Sequence, residues 1–251
     1  MQIEKLSRKI KRILFNMNKE LEKKYKNEKW MQILLMCQED ILKHNPSEYY
    51  VNSYREHEKC YWINIPKWIY SDYENIKVEK ILDIGCGYGT LSLFCQKLFH
   101  PEIFCIDFIS SYLSKSLIED KKINFKVNNI ETDKFQWDEK FDIIIFTEVL
   151  EHLNFNPKPT LKKIYDLLKV NGRLYLSTPD ASQWGKITKY YKNIAEIPHP
   201  TKDKKIIDDH IYQFNKEELL KILDDVGFEI IKSSYSPGVI NRHFNFVLKR
   251  N

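Results

Sequence analysis

The chain lacks most of the features that would assign it at a glance. None of its five cysteines (Cys37, Cys60, Cys86, Cys95, Cys105) stands in a CxxC spacing, and their number is odd. That excludes a cysteine zinc site and a disulfide framework, and fits thiols kept reduced. No apolar run approaches the ~20 residues that span a bilayer. Charges interrupt the first fifteen residues, so no signal-peptide pattern forms there and a cytoplasmic location is expected. Internal repeats and low-complexity tracts are absent. Arginine is scarce, 6 residues against 34 lysines, a bias that A/T-rich codons explain without function. Glycine is scarce as well, with seven in 251 residues.

Three of those seven crowd into five positions, Gly85, Gly87 and Gly89. An apolar run (Ile81, Leu82, Ile84) precedes them, and a helix-compatible one (Leu91, Leu93, Phe94, Leu98) follows. The pattern predicts a buried strand, a turn free of Cβ atoms and a helix N-terminus, where a ligand can approach the backbone closely. Such a turn, at the carboxyl end of the first strand of an open α/β sheet, is where nucleotide-like ligands bind. The composition, 43% hydrophobic and 30% charged, is that of a globular protein. The net charge of +5 sits in residues 1–30, which hold ten Lys/Arg against four acids; the remainder is −1. A near-neutral body argues against nucleic acid as the partner and for a small molecule.

Residues 1–74 read as a helical, aromatic-rich extension. Ile3, Leu6, Ile10, Leu14, Met17 and Leu21 trace one amphipathic helix, and Lys29–Leu42 predicts a second. Packing on the body or pairing into a homodimer is expected of them, with a lid or a basic membrane-surface helix as further uses and no stable membrane association. The aromatics of residues 47–73 either bury the extension or line a ligand pocket. From residue 75 to 251 strands and helices alternate. Strands are expected at Lys80–Ile84, Glu102–Asp107, Asn124–Asn128, Phe141–Thr147, Arg173–Thr178, Phe228–Ser233 and Phe244–Lys249. Helices are expected at Ser110–Glu119, at Pro159–Lys169 with Asn171-Gly172 as its C-cap, and from the Asn215 cap to Gly227. A polar insert covers 180–213. Repeated β-α-β with apolar strands predicts an α/β fold, a doubly wound, mostly parallel sheet covered on both faces.

Two acids narrow the ligand. Asp107 ends the second strand 22 residues beyond Gly85, placed to accept both ribose hydroxyls. Asp83 precedes the glycines, and Thr90 follows them where a pyrophosphate loop would continue towards a third glycine. An acid there repels pyrophosphate and suits an ammonium group. Glu148, Glu151 and His152 are spaced i, i+3, i+4 and are expected on one face of a helical turn. His199 and His210 lie in the insert. His152 and His210, with Glu148 beside them, are the candidates for acid–base work.

Five ordered segments resemble class I S-adenosylmethionine-dependent methyltransferases over roughly residues 75 to 250. They are Val78–Leu93 (VEKILDIGCGYGTLSL), Ile103–Phe108 (IFCIDF), Val127–Ile130 (VNNI), Phe141–Leu153 (FDIIIFTEVLEHL) and Leu167–Thr178 (LLKVNGRLYLST). The resemblance implies a seven-stranded sheet of order 3-2-1-4-5-7-6 with the last strand antiparallel, and S-adenosylmethionine as cofactor. It places the backbone of Gly85, Cys86 and Gly87 at the cofactor's amino-acid part and Asp83 near its ammonium. Asp107 would hold the ribose and Phe108 lie beside the adenine. Asn129 and Ile130 fall at the adenine edge, Asn129 where many members carry an acid. Thr147 and Glu148 would border the reactive methyl.

Likeness to methyltransferases of bacterial polysaccharide pathways points to an oxygen of a free or nucleotide-linked sugar, or of another surface-polysaccharide precursor, as acceptor, with no metal. Glu148, Glu151, His152 and His210 are also similar to the metal site of small-RNA 3′-end 2′-O-methyltransferases. That second reading competes with the metal-free family members in which Glu-Val-Leu-Glu-His-Leu is common. A third is a non-catalytic, adenosylmethionine-binding regulatory subunit docking through residues 1–44.

Overall fold

Alternating side chains on the central strands build two cores, one on each face of a single sheet. In β1 (Lys80–Ile84), Ile81 joins one core and Leu82 and Ile84 the other; in β4 (Phe141–Thr147), Ile143 and Ile145 oppose Ile144 and Phe146. A strand buried on both faces needs apolar residues at every position, hence the unbroken Ile-Ile-Ile-Phe run. The computed structural model describes residues 16–73, 77–184, 189–201, 205–237 and 242–251. With β2 (Glu102–Asp107), β3 (Asn124–Val127), β5 (Leu168–Pro179), β6 (Glu229–Tyr235) and β7 (His243–Lys249), the strands form one seven-stranded sheet of order β3-β2-β1-β4-β5-β7-β6. β7 runs antiparallel to both its neighbours and the remaining pairs are parallel, the expected topology.

The extension supplies part of one covering layer. The proposed first helix begins outside the described residues, which show a helix (α1) over 16–25. Helix α2 (Lys29–Leu42) has the expected bounds and buries Trp30, Met31, Leu34, Cys37 and Ile41 in the same core as Leu93 and Phe94 of α5 (Thr90–Phe99). A π-helical turn (Tyr50–Tyr54) leads into α3 (Arg55–Trp62) and α4 (Asn64–Asp72). Polar ties fix these helices to the far end of the chain. Asn64 Nδ2 donates to Tyr235 O and Asn245 Nδ2 to Tyr61 O, both at 2.9 Å. Asp72, with 5% of its side chain exposed, takes Arg173 at 2.7 Å, Lys232, and the Tyr175 hydroxyl at 3.1 Å.

The opposite face carries α7 (Pro157–Leu167) and α9 (Lys216–Val226), through Leu161, Ile164, Leu219 and Leu223. Helix α9 starts in a capping box, in which Asn215 and Glu218 satisfy each other's backbone N–H, and ends at Gly227 with φ +101°. A short α6 (Lys115–Lys121) follows β2, and a single turn, α8 (Ala181–Trp184), follows β5.

Three local expectations are corrected. Helix α6 begins five residues later than the Ser110 start because Ser114, not Ser110, caps it by accepting the Leu117 N–H. Helix α7 starts at Pro157, capped by Asn156, and stops at Leu167. Asn171-Gly172 is not its C-cap but a kink inside β5, where the register against β4 shifts between Phe141 and Ile143. A Cβ on Gly172 would lie 2.8 Å from Lys169 O and 3.0 Å from Phe141 O, so backbone crowding requires the glycine there.

Asp72→Ala strips two cations and a phenol of their common partner. It is expected to cost about 1–3 kcal/mol in urea unfolding, less than a fully buried pair because Arg173 and Lys232 are partly exposed.

Candidate active site

The site is built where β1, β2 and β4 end. Gly85, Gly87 and Gly89 all hold positive φ (+68°, +51° and +83°), which carries the chain from β1 into α5 within five residues. At Gly85 a Cβ would lie 2.3 Å from Val149 Cγ2; at Gly87 it would meet nothing within 4 Å, so that backbone faces open space. Asp107 fixes the loop from β2. Its Oδ2 accepts the Gly87 N–H at 3.0 Å and its Oδ1 the Ile109 N–H at 3.1 Å. Burial pushes the Asp107 carboxyl up from its ordinary range, against the pull of those backbone donors.

Two cavities share Gly85, Asp107, Phe108, Val149, His152 and Asp208. The smaller, about 60 Å³, is a slot between Ile84, Ile106, Ile130 and Leu153 with Asn128 and Asn129 at its rim. Its apolar walls suit a purine ring. Asn129 reaches it, but its Oδ1 already accepts the Glu131 N–H at 2.8 Å, so one lone pair of the expected adenine acceptor serves the loop. The larger, about 330 Å³, holds Gly85, Gly87, Thr147, Glu148, Glu151, His152 and His210. Asp83 and Cys86 face neither. They line a third space of about 20 Å³ behind the glycine loop, beside Thr147. There Ser92 Oγ donates to Asp83 at 2.5 Å, and burial pushes the Asp83 carboxyl up to about 7.

Glu148, Glu151 and His152 do not share a helical face. Glu148 sits at φ +56°, and a 3₁₀ turn covers only Leu150–His152, so the three reach one cavity from an irregular backbone and not from one turn of α-helix. Glu148 pairs with His243 at 2.7 Å and accepts from Ser177 Oγ at 2.6 Å. Burial opposes the Glu148 anion, yet His243 and Ser177 outweigh it and hold the carboxyl below its usual range. Glu151 accepts from Thr178 Oγ1 at 2.9 Å, and burial with the Glu148 charge drives its carboxyl far up. The Glu151 carbonyl accepts the Ile211 and Tyr212 N–H groups, which pins the insert over the site. That contact delivers His210 against His152, edge to face at 4.7 Å. Burial pulls both imidazoles below the usual histidine range, so each is neutral near pH 7. His199 is exposed and lies outside the cavities.

Donor atoms of Glu151, His152 and His210 lie within 4.8 Å of one another. His152 Nδ1 is buried with no hydrogen-bond partner. A carboxylate and two imidazoles around an orphaned nitrogen fit a divalent ion chemically.

Sequence reasoning missed His243, Asp208 and Glu58 as contributors and marked three tyrosines only through their density. His243 opens the final strand, stacked on Tyr61 at 4.4 Å, and nothing local marks it. Asp208, inside a charged run, lines both cavities. Glu58, on α3, lines the space that Asp83 faces. Tyr49, Tyr54 and Tyr61 wall the larger cavity, and aromatic density was their only signal; both uses foreseen for the aromatics hold, since Trp62 and Tyr73 are buried.

A family model described as "Methyltransferase domain" matches residues 51–233. The chain is 31% identical over 110 residues to the mitochondrial ubiquinone biosynthesis O-methyltransferase of Rattus norvegicus, covering 41% of this chain and 32% of that one. It is 27% identical over 165 residues to the Rickettsia typhi ubiquinone biosynthesis O-methyltransferase, covering 63% of each. The chain thus spans less than two thirds of the length of either. It is 25% identical over 202 residues to the phosphoethanolamine N-methyltransferase of Plasmodium falciparum, 68% of this chain and 76% of that one. Among solved structures, magnesium protoporphyrin IX methyltransferase from Synechocystis PCC 6803, with bound S-adenosylhomocysteine, superposes at TM-score 0.59 and 18% identity. The match covers 93% of this chain and 100% of that one. The N-methyltransferase NodS from Bradyrhizobium japonicum WM9 gives 0.55 at 15% identity, covering 85% and 98%.

Gly85→Ala meets both Val149 and a positive φ, and is expected to weaken S-adenosylhomocysteine binding roughly 10-fold or more by calorimetry. Asp83 and Glu58, each pushed up to about 7, bind protons in the fold that the unfolded chain has released. These two groups therefore contribute stability that falls as pH rises from about 4 to 7, read as a melting-temperature slope against pH that shifts upward in Asp83→Asn relative to wild type. The matched family model, the ordered motifs and the strand order together make the chain a member of the class I S-adenosylmethionine-dependent methyltransferases.

Proposed function

We propose that this chain methylates an oxygen of a small acceptor that carries no phosphate, a free sugar or a related hydroxylated precursor of a surface polysaccharide. The observation that supports this is the lining of the larger cavity. Five tyrosines (49, 54, 61, 88 and 112) and Phe108 form its walls, the imidazoles of His152, His210 and His243 line it together with Thr147, and no Lys or Arg lines it among the described residues. A phosphorylated or nucleotide-linked acceptor would meet the carboxyl groups of Asp107, Glu148, Glu151 and Asp208 and, among the described residues, no Lys or Arg. Apolar walls with a few placed polar groups suit a sugar ring, whose faces are apolar and edges polar. The O-methyltransferase relatives are in keeping with transfer to oxygen.

S-adenosylmethionine supplies a methyl group already activated on a sulfonium. The chain's residues orient, exclude water and take one proton. The glycine loop and Asp107 set the cofactor's place. The tyrosine wall holds the acceptor so that its hydroxyl oxygen points at the methyl near Thr147. As the new carbon–oxygen bond forms, the hydroxyl proton passes to an imidazole, His152 or His210. Glu148, paired with His243, keeps a fixed negative charge beside the developing imidazolium.

Donors of Glu151, His152 and His210 within 4.8 Å favour a second reading, in which these residues hold a divalent ion that lowers the acceptor hydroxyl's pKa. Chelator should then abolish activity and Glu151→Ala lose metal by elemental analysis; full activity in chelator removes this reading.

S-adenosylhomocysteine production is to be measured with free sugars, nucleotide sugars, a diphenol, ethanolamine and short RNA. Turnover of free sugars is expected, and turnover of nucleotide-linked or RNA substrates alone overturns the proposal. His152→Ala or His210→Ala should lower kcat by about 10²–10⁴ with cofactor affinity retained.

A further inference from the structure

The cofactor-binding residues recognised so far all come from the sheet domain. Behind the glycine loop, the third small space is lined from the other side by Tyr54, Glu58 and Trp62, all from the extension, facing Asp83, Gly85, Cys86, Thr90 and Thr147. Glu58 is 3% exposed. Its Oε1 accepts from Thr90 Oγ1 at 2.6 Å, at the first residue of α5, and its Oε2 from Gln38 Nε2 at 2.7 Å. Both donors are neutral. The neighbouring Lys59 turns away, bonding Gln38 Oε1 and Glu22, each at 2.9 Å. The groups facing Glu58 are Arg55 and Lys59 on its own helix, Tyr50 and Tyr54 on the turn before it, and Cys37 on α2. Tyr88 and Asp83 face it from the loop and β1.

Two carboxyls thus flank one small space that touches the cofactor loop, and among the described residues neither forms an ion pair with a Lys or Arg. A buried carboxylate without a countercharge is costly; a cation arriving between two of them removes that cost. We propose that Glu58 completes the cofactor site from the N-terminal extension, binding with Asp83, directly or through one water, the ammonium group of S-adenosylmethionine. The space, about 20 Å³, has room for one water-sized group, either the ammonium itself or the water that bridges to it. Burial pushes both carboxyls up to about 7 in the empty protein, so the ammonium displaces protons as it binds. The same contact makes the extension sense occupancy, since Thr90, Glu58 and Gln38 link the loop to α2. The inference rests on S-adenosylmethionine being the donor and not on the acceptor.

Calorimetry on the full chain tests it, with S-adenosylhomocysteine as probe at pH 6.0, 7.0 and 8.5 in two buffers of different ionisation enthalpy. Wild type should release protons at pH 7 and bind up to about 100-fold more tightly at pH 8.5 than at pH 6.0, two groups of pKa about 7 each contributing about tenfold. Glu58→Gln can still accept from Gln38 Nε2 with its amide oxygen while its amide N–H donates to Thr90 Oγ1, which then acts as acceptor; the variant should release fewer protons and lose about tenfold of that rise. 5′-Methylthioadenosine, which lacks the amino-acid part, should bind wild type and E58Q alike, whereas a merely structural role for Glu58 would weaken both ligands together. Proton release and pH slope unchanged in E58Q overturn the inference, as does wild type releasing no proton at pH 7 should the variant fail to fold. Failure of wild type to bind S-adenosylhomocysteine at all would instead strike the family's cofactor.

Discussion

The hydrogen bond from Gly87 N–H to the Asp107 carboxylate is the constraint on which the site depends. It joins the turn after β1 to the end of β2, and the Gly85 N–H reinforces it by donating to Ile106 O at 2.8 Å. Val149, arriving from β4, fills the volume that a side chain at Gly85 would take. Three adjacent parallel strands are thereby closed at one rim, and both cavities open from that closure. Without Asp107 the backbone of the loop would lose the side-chain acceptor that holds the Gly87 N–H, at the rim where an apolar slot meets a tyrosine-walled chamber.

Much of this was legible because periodicity and glycine chemistry are local. The strands at residues 80, 102, 141 and 243 carry their burial in their own composition, and α2 carries its apolar stripe. The bounds of α7 were not legible because Asn171-Gly172 has the same signature as a helix end and as a strand kink. Only the shifted partner strand, with Phe141 O against Gly172, distinguishes them. Glu148 was misjudged for a similar reason: i, i+3, i+4 spacing implies one face only where the backbone is helical, and its φ is positive. His243, Asp208 and Glu58 reach the site from 95, 60 and 90 residues away from Glu148 along the chain, and a distance created by folding leaves no trace in local pattern.

The charges around the cleft explain one another. Glu148, held ionised by His243, raises its neighbour Glu151, because two carboxylates in one buried region cannot both ionise cheaply. Glu151 in turn binds the insert through its backbone and so places His210. The acidic walls suit a cofactor that is itself cationic at the sulfur.

The ties between Asn64 and Tyr235, and between Tyr61 and Asn245, set an order of events during synthesis. Helices α3 and α4 leave the ribosome well before their partners in β6 and β7, which lie 171 and 184 residues further along the chain. The tyrosines on the extension stay without these neighbours until β6 and β7 have been made. The tyrosine-walled chamber therefore forms later than the glycine turn, and a nascent chain that has shaped the turn still lacks the chamber.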